Sequence, residues 1–463
     1  MNPVYTPVSE LSEMILNQET SPLELTEMFL NRLEKFGLLL NSVVNITRER
    51  AIKEAKQAEH DIRSSKYHGP LHGIPFGVKD LLATINTPTT WGAKPFQKQM
   101  FTYDATVINK LNKAGAVLCS KLAMIELAGG MGYKQPNASF TGPCATPWSL
   151  KHWSGGSSSG SGASVSAGLI PFAIGSETWG SILSPASNCG VSGLRPTYGR
   201  VSRHGAMALS WTLDKLGPLC LTADDCGLVL EAMAGYDKND LSTTRKTYRY
   251  VADTHEFRFG VWEGSTSNSD KSVAKNFEKS LKILEKIGSV EYMDFPEYPY
   301  EAITRTILNA EASSAFDEFT ETGLASELTA PEDHYGPYAR TIVLAKDYLK
   351  ALRLRAKMAK IADKSMEQFD AVVAPGRSGP STPIDEEFRK VAPGTTKDLM
   401  GAIGNGAGLP SISVPNGFTD EGLPTSIQFM GRAYQENRII AAAVAYQDKT
   451  SWHRKHPKMF LPK

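Results

Sequence analysis

The chain reads as an α/β protein, one large domain over residues 1–463 with a mixed β-sheet at its core. Two observations predict this. Short apolar runs of strand type alternate with helix-period segments along the whole chain, the pattern of a parallel or mixed sheet. No internal repeat, linker or composition break divides the 463 residues, a length long for one core but suited to one large α/β domain.

The elements follow in order. "TSPLELTEMFLNRLEKFG" opens with Ser21 as N-cap, Pro22 at the first helical position and Glu24 closing a capping box. Leu25, Met28, Phe29, Leu33 and Phe36 then form one apolar face. Residues 47–66 read as a charged surface helix. "HGIPFGVKDLLAT" holds a short strand that breaks into a polar turn at Lys79-Asp80. "DATVINKLNKAGAVLCSK" is a helix, a stop at Gly115 and a buried strand. "LIPFAIGS" and "FRFGVWEG" read as strands, "GLVLEAMAGY" and "SVAKNFEKSLKILEKIG" as helices. A long helix is expected over 339–368, before the strand "DAVVAP".

Composition excludes several classes. Fifty basic against forty-nine acidic residues leave a net charge of +1, and no basic stripe points to nucleic acid or a membrane surface. No stretch approaches the ~20 apolar residues of a membrane span. "MNPVYTPVSELSEMIL" has neither a basic n-region nor an apolar h-region, so a cytoplasmic location is expected. Cys119, Cys144, Cys189, Cys220 and Cys226 are scattered and odd in number, which fits free thiols. No histidine stands at zinc-site spacing from Cys220 and Cys226, so no metal is expected.

Residues 154–161, "SGGSSSGS", resemble a linker in composition, yet they open into the apolar, ordered-looking "GASVSAGLIPFAIGSETWGSILSPASNCGVSGLRPTYGR". Gly156–Gly160 formally matches G-x-S-x-G, but that elbow needs a buried strand before it, and "TPWSLKHWSG" is polar and turn-rich. His152 lies outside the run, and His453 and His456 sit in a basic tail. Neither a P-loop nor a dinucleotide fingerprint is present.

"GGSSSGSGASVSAG", "GSETWGSILSPASNCGVSGLRPTYGRVSR" and "LDKLGP" resemble the amidase signature family. So do "GPLHGIPFGVKD", "GAVLCSKLAMIELAGG" and "GNGAGLPSISVPNG…GLPTSIQFMGR", in order over nearly the whole chain. The resemblance implies a mixed sheet covered by helices on both faces. It also implies a catalytic lysine and two serines, which fall on Lys79, Ser157 and Ser181, with a cis peptide bond at Gly156–Ser157. Those residue types suit amide chemistry. A buried, neutral lysine serves as base, Ser157 relays the proton and Ser181 attacks. The backbone N–H groups of Thr178, Trp179, Gly180 and Ser181 are the expected oxyanion donors, with close approach to substrate as the reason for Gly180. Ser158, Ser159 and Ser161 are expected to hydrogen-bond the loop. Met131 resembles a substrate-facing position of family members, although a methionine in such a loop is commonly packing.

Two positions depart from the family pattern: Trp179 replaces a glycine and Leu183 an arginine. The leading expectation is an amidase acting alone on a small-molecule amide through a Ser–Ser–Lys triad. It needs no cofactor and no nucleic-acid or membrane partner, and homodimer formation is left open. One alternative is the glutamine-hydrolysing component of a tRNA-dependent amidotransferase, its A chain. Asp398 stands where such proteins carry an acid for the glutamine amino group. The other alternative is a non-catalytic binding homologue. The pocket is expected from residues 300–345, with Phe316, Phe319, Tyr335 and Tyr338 as apolar lining or as core.

Overall fold

Local signals set the element ends as the sequence predicts. In the computed structural model, which describes residues 3–253, 255–340, 342–388 and 398–462, helix Pro22–Leu40 starts on the complete capping box. Glu24 N donates to Ser21 Oγ at 3.2 Å, and Ser21 N donates to Glu24 Oε2 at 2.9 Å. Helix Thr106–Lys113 stops before Gly115, whose φ of +84° only glycine adopts cheaply.

Thirteen strands are described: β1 (Val43–Ile46), β2 (Pro75–Lys79), β3 (Val117–Leu122), β4 (Ala145–Thr146), β5 (Ser149–Trp153), β6 (Phe172–Glu177), β7 (Ser192–Arg195), β8 (Lys215–Cys220), β9 (Phe257–Trp262), β10 (Gly288–Met293), β11 (Ala371–Pro375), β12 (Ser411–Phe418) and β13 (Pro424–Met430). Eleven form one mixed sheet in the order β1-β3-β2-β6-β8-β7-β12-β13-β11-β9-β10, and β4 and β5 pair separately. β2 runs parallel to both β3 and β6, whereas β6 and β8 are antiparallel.

Alternation along the strands explains why helices cover both faces. On β11, Ala371 and Val373 pack into one hydrophobic cluster, and Val372 and Ala374 into another. On β13, Ile427 and Phe429 face the first cluster and Met430 the second. Successive side chains point to opposite faces, so two separate clusters mean two covered faces.

Two local expectations change. Lys79 and Asp80 do not make a solvated turn: both are fully buried. Asp80 accepts from Thr90 N at 3.0 Å, and its carboxylate lies 3.1 Å from the Lys121 ammonium, so partners within the core replace water. The helix expected over 339–368 is two helices, Gly336–Arg340 and Ala345–Ser365. The β-branched pair Ile342-Val343 lies between them, and such residues lose side-chain freedom in a helix.

Candidate active site

β2 and β6 are neighbouring parallel strands, with Val78 opposite Ile174, so their carboxyl ends emerge at the same edge of the sheet. Open α/β sheets place ligands at that edge. Lys79 is the last residue of β2, and Glu177 the last of β6.

The Gly/Ser run supplies the next part. Gly156–Ser157 is a cis peptide, and helix Ser159–Ser166 begins two residues later. The run is an ordered wall held by its own serines. Ser158 Oγ donates to Ser176 O at 3.1 Å, Ser159 Oγ to Ala123 O at 3.2 Å and Ser161 Oγ to Ile174 O at 3.2 Å. A Cβ on Gly160 would sit 2.3 Å from Ser42 O and 2.4 Å from Ala123 N, so packing against backbone demands glycine there.

Lys79 Nζ lies 2.8 Å from Ser157 Oγ and 2.9 Å from Ser176 Oγ. Burial pushes the lysine down to about 7, although Asp214 and Glu177 pull in the opposite direction. Ser181 is on the loop after β6 and is 8 % exposed. The Ser157 and Ser181 hydroxyls share no hydrogen bond among the described residues. The two segments are joined instead by Ser158 N donating to Ser181 O at 3.2 Å.

The loop carrying Ser181 is held from beneath by Glu177, a residue the sequence reading passed over. Its Oε2 accepts from Ile182 N at 2.9 Å and Leu183 N at 3.0 Å. Its Oε1 accepts from Arg195 Nη1 at 2.8 Å, with both side chains buried. Burial pushes this carboxyl up, but Arg195 and Lys215 outweigh it and hold the group below the usual carboxylate range. An acid closing the apolar "PFAIGSE" run was the available signal, because a buried charge needs a specific partner.

The backbone N–H groups of Thr178, Trp179, Gly180 and Ser181 take no acceptor among the described residues. Thr178 is fixed through its side chain, Oγ1 donating to Asp214 Oδ1 at 2.5 Å. Gly180 has φ +85°, yet a Cβ there would meet no atom within 4 Å. Its positive φ alone therefore favours glycine, whatever approaches from the substrate side. Trp179 is not among the residues with positive φ, so a side chain at this position carries no backbone strain.

These segments line a cleft of about 700 Å³, which includes Thr178, Trp179, Gly180, Ser181, Ser184 and Arg377. Trp179 projects its indole across it: Nε1 donates to Asp398 Oδ2 at 2.9 Å, and the Arg305 guanidinium lies 5.2 Å from the ring centroid. Asp398 also caps helix Leu399–Gly406, accepting from Gly401 N at 2.8 Å. Leu183 lines the cleft where the family pattern has an arginine.

Other expected positions fall elsewhere. Met131 is 1 % exposed in the main core and does not line the cleft, although Gly130 and Gly132 do. Residues 300–345 contribute Glu301, Arg305, Leu308 and Asn309, all from helix Tyr300–Ala315. Phe316 and Phe319 are core, while Tyr335 and Tyr338 are exposed at the surface, so this wall is more polar than the aromatics implied. His152 bonds to Ser149 and does not serve the run. The five cysteines are free and buried. The tertiary structure does assemble one group that sequence spacing misses: ligand atoms of Asp61, His68 and His72 lie within 4.8 Å of one another, away from the cleft. One nitrogen there, His72 Nδ1, already accepts from His68 N. No helix of the described residues is long and apolar enough to cross a membrane.

Lys79 thus contacts Ser157 at the carboxyl edge of a mixed sheet, with Ser181 on the adjoining glycine loop. The chain belongs to the amidase family, whose model, Amidase, matches residues 24–440, and whose members act on carbon–nitrogen bonds. It is 34% identical to the A chain of the glutamyl-tRNA(Gln) amidotransferase of Coxiella burnetii, over 98% of this chain and 99% of that one. Among solved structures it resembles the peptide amidase of Stenotrophomonas maltophilia, with TM-score 0.85, 29% identity and 97% of each chain covered. It also resembles the corresponding glutamyl-tRNA(Gln) amidotransferase chain of Thermotoga maritima, with TM-score 0.80, 27% identity and 97% and 96% of the two chains covered.

Proposed function

We propose that the protein is a stand-alone amidase in which Lys79 is the base, Ser157 the proton relay and Ser181 the nucleophile. The observation that carries this reading is the 2.8 Å contact between a fully buried Lys79 and Ser157. A lysine with a pKa of about 7 is substantially neutral at physiological pH, and only the neutral amine accepts a proton. Ser181 Oγ attacks the amide carbonyl and gives its proton to Ser157 Oγ, as Ser157 gives its own to Lys79 Nζ. The relay requires the Ser181 hydroxyl to turn toward Ser157. The developing oxyanion is received by the unpaired N–H groups of residues 178–181, an arrangement whose donors are each worth about 10²–10³ in rate. Collapse expels the amine, protonated back through Ser157. Water then attacks the acyl-enzyme by the same route, releasing the carboxylic acid and free Ser181. Every step uses side chains of this chain, so the reading calls for no cofactor, and its substrate is a small soluble amide met in the cytoplasm.

The names of the curated relatives favour a second reading, a glutamine-hydrolysing component of an amidotransferase. Asp398 weighs against it. An amino group of glutamine would have to share the Asp398 carboxylate with the Trp179 indole and Gly401 N. Incubating the purified chain alone with glutamine and with a panel of simple and aromatic amides separates the readings. Ammonia released from the amide panel but not from glutamine supports the stand-alone amidase. Turnover of glutamine only, or only with an added partner protein, supports the alternative. A failure of every amide to react or to label Ser181 would leave a non-catalytic homologue.

A further inference from the structure

Of the arginines that line the cleft, Arg195, Arg305 and Arg377, the last has neither a counter-charge among the described residues nor full exposure to water. Arg377 follows β11 and reaches toward the loop of Ser181, where its Nη1 donates to Ser184 Oγ at 2.8 Å. Ser184 lies three residues beyond Ser181, in helix Leu183–Cys189. The Arg377 Nε is enclosed and has no hydrogen-bond partner among the described residues. No carboxylate forms an ion pair with this arginine among the described residues. The acid whose field it feels most, Asp398, accepts from Trp179 and Gly401 and does not come within ion-pair distance of it. Arg305 is different, being exposed and screened by water. The buried arginines Arg195 and Arg200 are neutralised, the first by Glu177 and the second by Glu436. Proteins pair buried charges, because an enclosed guanidinium with open donors is costly to maintain. Arg377 has no such partner among the described residues, and it lines the same cleft as Ser181.

We propose that Arg377 is the anchor for a carboxylate on the acyl part of the substrate, so that the natural substrate class is the half-amide of a short dicarboxylic acid. This rests on the amidase reading above and narrows it. The planar guanidinium lines the cleft with Nη1 held by Ser184 and no hydrogen bond on Nη2 among the described residues, and a guanidinium edge suits a carboxylate through two parallel hydrogen bonds. Leu183 fits the same assignment. The arginine of the family pattern is absent from the residue beside Ser184, and the guanidinium that reaches Ser184 comes instead from a segment nearly two hundred residues later in the chain.

The test compares kcat/KM for succinamate and for its neutral isostere succinamide, in the wild type, Arg377→Gln and Arg377→Lys. The wild type is expected to favour succinamate by about 10²-fold or more, Arg377→Gln to erase that preference, and Arg377→Lys to keep part of it as a point charge without the fork. The ratio of the two substrates is the readout, so any loss common to both cancels. Calorimetric binding of succinate to Ser181→Ala, and its loss on adding Arg377→Gln, gives the same answer without turnover. Should the wild type hydrolyse both amides equally, the carboxylate anchor is overturned while the amidase reading stands. Succinate binding that survives Arg377→Gln also overturns it. If no amide is turned over and succinate still binds through Arg377, the anchor stands and the amidase reading falls.

Discussion

The Trp179 indole N–H donates to the Asp398 carboxylate at 2.9 Å across the cleft, joining the loop of Ser181 to the start of helix Leu399–Gly406. Two positions 219 residues apart are thus joined across the cleft. Trp179→Phe keeps the ring and removes the donor, and Trp179→Gly removes both. Each is expected to free a carboxylate oxygen for an amino group on the substrate. Relative kcat/KM for amides carrying an ammonium group should rise in both variants. Trp179→Gly should also weaken discrimination along an acyl-length series by about 10–200-fold, the range of methylene-sized contacts. Parallel losses for every substrate would show that Trp179 only supports the loop.

Ser181 and Ser157 are expected to differ in what their removal leaves. Ser181→Ala should abolish turnover, whereas Ser157→Ala should retain a small residue, because water partly replaces a relay. The relay loss should be at least about 10²–10⁴-fold. A serine-reactive phosphonyl reagent followed by peptide mass spectrometry should place the adduct on Ser181. An adduct on Ser157 or Ser158 would overturn the assignment.

With Lys79 as the proposed base, its titration sets the expected pH dependence. Burial pushes it down to about 7 in the fold, and only the neutral amine can accept the proton. The logarithm of kcat/KM should therefore rise with pH below about 7 and level off above it. Lys79→Met should remove that limb together with nearly all activity. Stability should respond as well. Between about pH 7 and 10.5 the unfolded chain binds a proton at Lys79 that the folded chain has shed, so stability rises with pH over this window. Below it the buried ammonium is a full penalty. Lys79→Met should then raise Tm at about pH 6, by an amount that shrinks toward pH 10.5. A wild-type rate profile in Lys79→Met would exclude lysine as the base.

Glu177 is expected to be a positioning residue with a structural cost attached. Glu177→Gln leaves Arg195 buried without its counter-charge, a change worth about 3–5 kcal/mol by analogy with other broken buried pairs. It also removes the carboxylate that accepts from Ile182 and Leu183 N–H. The denaturant midpoint should fall, and in the folded variant kcat should fall more than KM rises, because the loop positions the nucleophile and not the ground-state substrate. A variant with wild-type stability and kcat would show that the loop holds itself.

Much of this protein was legible in its residues alone. The helix start at Ser21 was readable because a capping box is closed within four residues, and the buried strands were readable as apolar runs. Lys79, Ser157 and Ser181 stood out because each lies in a multi-residue match, not because serine or lysine is informative singly. Tertiary structure decided what depends on contacts far apart in the chain. Met131 is adjacent to cleft-lining glycines yet faces the core, a choice of side-chain direction that neighbours in sequence do not specify. Gly180 has a positive φ that its neighbours in sequence do not specify. The polar pair Lys79-Asp80 suggests a turn by itself, and it is fully buried because Lys121, Thr90 and Ser157 arrive from other segments to bind it. Glu177, Asp398 and Arg377 are likewise ordinary charges in the sequence. Only the fold, by bringing Arg195 to the first, Trp179 to the second and no described carboxylate to the third, gives each a different task.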